Sequence, residues 1–365
     1  MFGGYFNHRR VLVTGHTGFK GSWLCEWLLE MGAVVAGYSL PPATEPALFD
    51  LLGLKSRLAS HVEGDIRDLD SVCAAVEAFN PDVLFHLAAQ PLVRDSYDRP
   101  VETYAVNVMG TVNVLEALRR FDLRCNAVLI TTDKCYENRE WVHSYREEDP
   151  MGGWDPYSSS KGCAELVIGA YRRSFFSATD SPVRLASARA GNVIGGGDWA
   201  KDRILPDCIR SLRSGDVISV RNRLATRPWQ HVLEPLSGYL QLASKLAAER
   251  PVGALSSAFN FGPALGSNRT VEDLVVEVLR HWPGRWVDRS DPKAVHEAKL
   301  LNLATDKAHH FLGWSTVWPF EETVARSVQW YWASEKKEGN IEAFTRQQVL
   351  DYVPSARKLN LSWSH

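Results

Sequence analysis

Short apolar runs alternate with segments of helical periodicity along the first half of the chain. The runs are rich in β-branched residues, and we predict strands at Val11–Thr14, Val34–Leu40, His61–Asp65, Val83–Ala89, Ala127–Thr132 and Val183–Ala188. Between the first two runs, apolar residues recur at helical spacing from Lys20 to Met31, and Gly32 then ends the predicted helix. This alternation is typical of an α/β fold in which helices cover both faces of a parallel sheet.

The regular alternation of strand and helix patterns is lost after residue 189, and we place the domain boundaries by that change. A Gly-, Asp- and Trp-rich stretch leads into a helix near Pro206–Arg213 and a short strand, which indicates a smaller, mixed α/β substrate-binding lobe. A helix over Leu233–Leu246 and a strand within residues 257–263 are predicted to return to the sheet. The sheet domain is therefore assigned to 1–189 and about 231–263, the smaller lobe to 190–230 and 264–335, and a polar extension to 336–365. We predict that this extension forms a solvated helix or a loosely docked tail.

The segment "TGHTGFKG" places Gly15, Gly18 and Gly21 directly between the first strand and the first helix. In a Rossmann-type, doubly wound parallel sheet, such glycines permit a tight turn, a close approach of backbone N–H groups to a pyrophosphate, and close packing of helix on strand. The N-terminus of the helix then faces the anion. The spacing differs from G-x-G-x-x-G, and the alternative is a tight turn without a ligand. The position between strand and helix favours a dinucleotide site.

The end of the second strand indicates which dinucleotide would bind. An acidic residue that holds the adenosine ribose is expected roughly 20 residues after the loop. Tyr38 and Ser39 stand there instead, and no arginine is present for a 2′-phosphate, so we prefer NAD over NADP. Asp65, at the end of the third predicted strand, is placed either to reach the adenine or to cap the following helix.

Tyr157 and Lys161 lie four residues apart in "YSSSKG", so a helix presents both on one face. A nearby ammonium and a positively charged nicotinamide can lower the pKa of tyrosine from about 10, and the phenolate then accepts a proton during hydride transfer. The fifth strand ends in "TTDKCY", at the edge where open α/β sheets bind ligands. Asp133 and Lys134 would deliver proton-transfer groups there, or would only cap a loop.

Composition narrows the class of partner. The chain has 365 residues, 45% of them hydrophobic, and a formal net charge of −2, which gives no cationic surface for nucleic acid or an anionic membrane. Its start has no secretory apolar region and no run is long enough to span a bilayer, which predicts a cytoplasmic protein. Six scattered cysteines without C-x-x-C spacing predict neither a disulfide framework nor a metal site.

Several motifs together resemble the extended short-chain dehydrogenase/reductases that act on nucleotide sugars, namely "TGHTGFKG", "HLAAQ", "NVMGTVNVLEA", "YSSSKG", "RAGNVIGGGDW" and "RPWQHV". More narrowly, "GHTGFKGSWL", "AAQPLVR", "TTDKCYEN" and "RAGNVIGGGDWAKDR" resemble the 4,6-dehydratase branch that acts on CDP-glucose, over about residues 9–335. The resemblance implies tightly bound NAD, oxidation at C4, loss of water from C5–C6 and return of the same hydride to C6. It also implies a product used for the deoxysugars of bacterial surface polysaccharides, and a homodimer formed through about Val101–Arg120 and Tyr157–Phe175.

The resemblance also implies roles for individual residues. Tyr157 is the base for the C4 hydroxyl, Lys161 tunes it and holds the nicotinamide ribose, and Thr132 hydrogen-bonds the substrate. Asp133, protonated, donates to the departing C6 hydroxyl. Relatives that act on other sugars have glutamate as the C5 base where Lys134 stands, so the base is either Lys134 or a group that the sequence does not identify. The implied cofactor-binding residues are Gly15, Thr17, Gly18, Phe19, Lys20, Gly21, Asp65, Ile66, Leu87, Ala88, Ala89, Tyr157 and Lys161, and the implied substrate-binding residues are Gln90, Asn192, Arg203 and Arg227.

Two other functions fit the same fold. A nucleotide-sugar 4-epimerase or reductase shares every step except elimination, but it needs no acid such as Asp133 for a leaving hydroxyl. A catalytically idle NAD-binding sensor is the other alternative, because fold alone does not determine function. The presence of Thr132, Asp133, Tyr157 and Lys161 together argues against the sensor.

Overall fold

A computed structural model of the chain describes residues 1–121, 123–249, 252–290, 300–336 and 340–365. Its strands, in chain order, are β1 Arg10–Thr14, β2 Val34–Ser39, β3 Ser60–Glu63, β4 Val83–His86, β5 Cys125–Thr131, β6 Val183–Arg189, β7 Val193–Ile194, β8 Ile218–Val220, β9 Thr226–Pro228, β10 Gln230–His231, β11 Ala258–Asn260, β12 Asn268–Thr270 and β13 Trp286–Asp288. Seven of them form one parallel sheet in the order β11-β6-β5-β4-β1-β2-β3. The predicted α/β class and the predicted parallel sheet are confirmed.

The helices lie against the sheet and also form part of the smaller lobe. They are α1 Phe19–Glu30, α2 Leu48–Leu51, α3 Leu54–Arg57, α4 Leu69–Phe79, α5 Val93–Asp98, α6 Pro100–Tyr104, α7 Gly110–Arg120, α8 Pro156–Phe175, α9 Ile204–Ser214, α10 Leu233–Ala248, α11 Val271–His281, α12 Phe320–Lys336 and α13 Ile341–Lys358. A π-helical turn, Ala105–Met109, joins α6 to α7. None of the helices within the described ranges combines the length and the hydrophobicity that crossing a bilayer requires.

The core explains why the strands face helices on both sides. On one face, Leu12 and Leu129 pack with apolar residues of α4, α7 and α8. On the other face, Val11 and Val128 pack with residues of α1 and α10. Because successive side chains of a strand point to opposite faces, burial of both sets requires helices on both.

The smaller lobe contains short two-stranded ladders and helices. β9 pairs with β12 antiparallel, and β8 pairs with β13 parallel. α9 and α11 pack beside these ladders, and α12 packs against α11. β7 pairs with β10 next to the carboxyl end of β6. The division of the chain into the domains given above stays a prediction.

The C-terminal extension differs from its prediction as a solvated or loosely docked segment. α13 packs against α1 and α12, and its Val349, Tyr352, Val353 and Ala356 are buried. Trp363 stacks on Tyr352 and Phe2 with ring centroids 5.6 and 5.2 Å apart. The buried residues of α13 recur at i, i+3, i+4 and i+7, which makes a continuous apolar stripe on an otherwise polar helix. Judging the segment by its average polarity missed this stripe.

Candidate active site

The turn between β1 and α1 is built as a backbone cradle. Gly15 has φ +76°, and a Cβ there would lie 2.6 Å from the backbone nitrogen of Ala88. Leu87 donates its N–H to the carbonyl of Thr14 at 3.0 Å, which holds the segment after β4 against this turn. Gly18 is exposed and begins α1 without a side-chain cap. The first N–H groups of α1 therefore remain for an anion, as a dinucleotide diphosphate requires.

We call Gly15, Gly18, Gly21 and Leu87–Ala89 the cofactor cradle. Gly21 is buried in the first turn of α1 and Phe19 is half-buried beside the core. Ile66 is buried, and its carbonyl accepts a hydrogen bond from Asn113 of α7 at 3.0 Å. These neighbours fix the cradle between β1, β4 and α7.

The end of β2 carries hydroxyls instead of a carboxylate. Thr17 Oγ1 lies 2.9 Å from Ser39 Oγ, and it also lies 2.9 Å from the carbonyl of Leu40, to which it donates. Asp65 forms an ion pair with Arg67 at 2.5 Å. The hydrogen bonds from Arg67 lower the pKa of Asp65. The helix-cap role that was considered for Asp65 belongs to Asp68, whose carboxylate accepts the N–H of Ser71 at 3.1 Å.

Asn107, which the sequence analysis did not single out, lies in the π-helical turn. Its Oδ1 accepts the N–H of Gln90 at 2.8 Å, and its Nδ2 donates to Ser160 Oγ of α8 at 2.9 Å. The side-chain amide nitrogen Nε2 of Gln90 also donates to Thr103 Oγ1 at 3.0 Å. Asn107 thus ties the segment after β4 to the helix that carries Tyr157. Its place in the motif "NVMGTVNVLEA" was the available signal.

The stretch after β5 forms a pocket around Asp133, whose carboxylate is buried with 1% exposure. Thr132 Oγ1 donates to Asp133 Oδ1 at 2.9 Å, and Asn192 Nδ2 donates to Asp133 Oδ2 at 3.3 Å. A Cβ on Gly191 would lie 1.9 Å from the same Oδ2, so only glycine leaves room. Thr132 caps the following turn by accepting the N–H of Lys134. The Asp133 carboxylate is therefore not used as the loop cap.

Tyr157 and Lys161 lie on one buried face of α8, as their spacing predicted. The helix begins after Asp155, whose carboxylate accepts the N–H of Ser158 at 2.8 Å, and Pro156 occupies its first position. Lys161 Nζ donates to the carbonyl of Ile130 at 3.3 Å. We call Thr132, Asp133, Tyr157, Lys161, Gly191 and Asn192 the catalytic pocket.

Burial governs the protonation of this pair in the chain by itself. It raises the pKa of Tyr157 to about 12, while a hydrogen bond with Thr132 opposes the shift. It lowers the pKa of Lys161 to about 8, while the charge of Glu165 opposes that shift. The expected lowering of the Tyr157 pKa is therefore not produced by the chain alone, because desolvation of the phenolate outweighs the nearby positive charges.

Two further cations, Lys20 and Arg203, interact with the charges of the catalytic pocket. Burial and the charges of Arg203 and Lys161 lower the pKa of Lys20 to about 8, whereas Asp133 and Asp198 act in the opposite direction. Lys20, which the resemblance implied as a cofactor-binding residue, thus interacts with the charges of Asp133 and Lys161. Arg203 forms an ion pair with Asp198 at 2.8 Å. Arg227 of β9 donates to the carbonyl of Thr226 at 2.8 Å.

Comparison with known proteins places this site in a family. Residues 12–327 match the sequence model of the family described as GDP-mannose 4,6 dehydratase. A CDP-glucose 4,6-dehydratase of Salmonella typhimurium is 48% identical over 360 residues, which cover 97% of this chain and 99% of the relative. A CDP-paratose 2-epimerase of Salmonella typhi is 34% identical over 46% of this chain and 54% of its own length.

Solved structures agree with the fold. A dTDP-glucose 4,6-dehydratase from Streptomyces venezuelae, with NAD bound, has a TM-score of 0.76 at 23% identity, covering 91% of this chain and 99% of that one. The corresponding enzyme from Bacillus anthracis, in complex with NAD, has a TM-score of 0.74 at 22% identity, covering 89% of this chain and 97% of that one. With the family match over residues 12–327 and the 48% identity along nearly the whole chain, the protein belongs to the GDP-mannose 4,6 dehydratase family of extended short-chain dehydrogenase/reductases.

Proposed function

We propose that the protein is an NAD-dependent hydro-lyase that converts CDP-glucose to CDP-4-keto-6-deoxyglucose. The observation that carries the proposal is the convergence of Asp133, Tyr157 and Lys161 beside the cofactor cradle, in a chain 48% identical to a CDP-glucose 4,6-dehydratase. NAD, when bound, would accept a hydride from C4 of the sugar and return it to C6, and C5 would take back the proton that the base removed. All other steps fall to side chains of the two sites.

Oxidation depends on residues of α8. Tyr157 takes the proton of the C4 hydroxyl, and Lys161 holds the nicotinamide ribose and stabilises the phenolate. Because burial raises the pKa of Tyr157 to about 12 in the chain alone, we propose that the positive charge of bound oxidised NAD completes the activation. The base therefore becomes effective only when the cofactor is in place.

Elimination depends on the segment after β5. The Thr132 hydroxyl hydrogen-bonds both Tyr157 and Asp133, so it lies between the proton acceptor and the proton donor. We propose that Asp133, in its protonated form, donates to the departing C6 hydroxyl. Lys134 follows directly in the same turn and is half-buried, and we propose it, in its neutral form, as the base that removes the C5 proton. The alternative is that its charge stabilises the C4 enolate.

Substrate binding is proposed for the cationic side of the pocket. Arg203 and Arg227 suit a diphosphate, because guanidinium groups bind anionic oxygens in a fixed geometry. Gln90 and Asn192 were predicted to contact the substrate. Asn192 instead contacts Asp133 in this structure, and Gln90 is held by Asn107 and Thr103, so their substrate contacts stay predictions.

The proposal includes a cytoplasmic homodimer. Apolar side chains are exposed on the two helical segments expected at the interface. They include Val101 and Met109, exposed by 82% and 52%, and Leu166 and Phe175, exposed by 61% and 51%. Equilibrium sedimentation of the purified chain would show a single species of twice the chain mass if the dimer forms, and a monomer would contradict it.

One experiment tests the function. Purified protein is incubated separately with CDP-, UDP-, dTDP- and GDP-glucose that carry deuterium at C4, and products are identified by mass spectrometry and NMR. We expect a 4-keto-6-deoxy sugar from CDP-glucose alone, with the deuterium at C6. The Tyr157→Phe variant is the matched control and should leave the substrate unchanged. A C4-inverted sugar would instead establish the epimerase alternative, and deuterium lost to solvent would contradict internal hydride return.

A further inference from the structure

A buried ion pair joins α8 to β6 beneath the catalytic pocket. Glu165 and Arg189 lie 2.8 Å apart, and their side chains are 3% and 5% exposed. Glu165 also accepts a hydrogen bond from Ser187 at 2.8 Å. Moving two charges into the interior costs more than their attraction returns unless further hydrogen bonds satisfy them. The partners of this pair therefore show what it holds together.

The partners lie at the two ends of the stretch that carries Asp133. Thr131 donates to Glu165 Oε1 at 2.5 Å, and Arg189 Nη1 donates to Tyr136 Oη at 2.7 Å. Tyr136 in turn donates to Asn260 of β11 at 2.7 Å. Thr131 directly precedes residues 132–135, and Tyr136 directly follows them. One ion pair thus holds both ends of the segment that carries Thr132, Asp133 and Lys134.

The same carboxylate belongs to the catalytic helix. Glu165 lies four residues after Lys161 and eight after Tyr157, so all three occupy one face of α8. The two proposed chemical steps use different elements, since oxidation uses Tyr157 and Lys161 of α8 whereas elimination uses the segment after β5. The Glu165–Arg189 pair connects these elements without touching a substrate site itself.

We propose that Glu165 and Arg189 are positioning residues that fix the segment of Asp133 and Lys134 relative to Tyr157 and Lys161, and so couple elimination to oxidation. This inference rests on the proposed dehydratase function. Because the Glu165 charge also supports the ammonium of Lys161, the two steps are compared at saturating NAD. Loosening the pair should then leave α8, and hence hydride removal, largely intact, while the acid and the base of elimination lose their alignment. A purely structural role would lower stability without separating the two steps.

The test compares two variants that each remove an ion pair with a buried carboxylate. Glu165→Gln combined with Arg189→Met removes both charges, so neither is left unpaired in the interior. Glu26→Gln combined with Arg57→Met is the control. Glu26 of α1 is fully buried and lies 2.6 Å from Arg57, whose side chain is 22% exposed. Glu26 also pairs with Arg346 at 3.3 Å, and Arg346 keeps Glu342 as a partner in the variant. Both are compared with wild type by steady-state kinetics with CDP-glucose and by absorbance of enzyme-bound reduced cofactor during a single turnover.

For the Glu165/Arg189 variant we expect kcat to fall about 100-fold, the loss that a misplacement of about 1 Å can cause, with KM changed less than about threefold. Reduced cofactor should accumulate on the enzyme, because oxidation runs ahead of elimination. The control should keep the wild-type kcat within about twofold and show no accumulation. Wild-type kinetics in the Glu165/Arg189 variant, or a loss of kcat without reduced cofactor, would overturn the proposal.

If the Glu165/Arg189 variant does not fold, the Tyr136→Phe variant tests the proposed positioning role instead. It removes only the hydroxyl through which Arg189 reaches the far end of the segment and alters no buried charge. The same accumulation, with kcat lower by about tenfold, supports the proposal, and wild-type partitioning rejects it. Failure of the proposed function is recognised separately, because the wild-type protein would then form no 4-keto-6-deoxy product from any of the four sugars.

Discussion

The cofactor cradle and the catalytic pocket lie side by side at the carboxyl ends of the strands, but the chain builds them differently. The cradle is mostly backbone, and its shape comes from the glycine turn after β1, with Gly15 at φ +76°, held against the segment after β4. The pocket is made mostly of side chains from the segment after β5, from α8 and from the segment after β6, such as Thr132, Tyr157 and Asn192. The difference predicts that substitutions in the cradle act through sterics and stability, whereas substitutions in the pocket act on individual chemical steps.

The largest effect is expected for Tyr157, which we propose as the base of the oxidation step. Tyr157→Phe should lower kcat by about 10³- to 10⁴-fold, because the proton of the C4 hydroxyl has no acceptor. NAD affinity and thermal stability should stay near wild type, since the ring still fills the same space. Turnover assays, calorimetric NAD binding and thermal melting measure the three quantities. A parallel loss of stability would show that the pocket does not act independently of the fold.

A second substitution separates the steps within the pocket. Asp133→Asn keeps one side-chain oxygen to accept the hydrogen bond from Thr132, whereas its NH2 group can face Asn192 only if the Asn192 amide turns its oxygen inward. The substitution removes the proton donor, and we expect kcat to fall by about 100-fold. Reduced cofactor should accumulate during turnover, in contrast to Tyr157→Phe, in which none forms. Stopped-flow absorbance distinguishes these results. Equal loss of both steps in both variants would contradict the assignment of acid and base.

The cradle provides a matched pair of glycine substitutions. Gly15→Ala places a Cβ 2.6 Å from Ala88 N at a positive φ, and it should lower the free energy of unfolding by about 2–4 kcal/mol. Gly18→Ala meets only the Gly15 carbonyl, at 3.4 Å, and should cost less than about 1 kcal/mol. The added methyl group would lie at the exposed start of α1, where the diphosphate is expected to bind, so NAD affinity should fall. Urea denaturation and calorimetry measure both; similar stability in the two variants would refute the steric account.

The smallest expected effect is a pH dependence of NAD affinity, which involves residues of both regions. Burial lowers the pKa of Lys161 to about 8, and its ammonium is proposed to hold the ribose. At a pH above that pKa the ammonium loses its proton. The dissociation constant for NAD, measured with enzyme from which bound cofactor has been removed, should therefore rise about tenfold between pH values of about 7 and about 9. The pKa of Lys20 is also lowered to about 8, so Lys20→Met is the control. The dependence should vanish in Lys161→Met and persist in Lys20→Met, and the reverse would transfer the role to Lys20.

Much of the fold follows from local pattern. Alternating strands and helices, the return of β11 to the sheet and the helix of Tyr157 were predicted, because backbone periodicity and buried faces are properties of short segments. Four strands ended earlier than predicted: β2 at Ser39, β3 at Glu63, β4 at His86 and β5 at Thr131. The residues Leu87–Ala89 were predicted to continue β4, but they leave its hydrogen-bonded ladder and form part of the cradle. The hydrophobicity of these residues does not show where the strand pairing ends.

The sequence by itself determined the glycine turn, the shared helix face of Tyr157 and Lys161, and the strand end that carries Asp133, since each depends on spacing within a few residues. Only the tertiary structure decided that Asn192 and Gly191 enclose Asp133, because these groups lie almost sixty residues apart in the chain. It also decided the direction of the Tyr157 pKa, since desolvation depends on what surrounds the ring after folding. Local geometry is encoded in neighbouring residues, whereas burial and long-range contact exist only once the chain has packed.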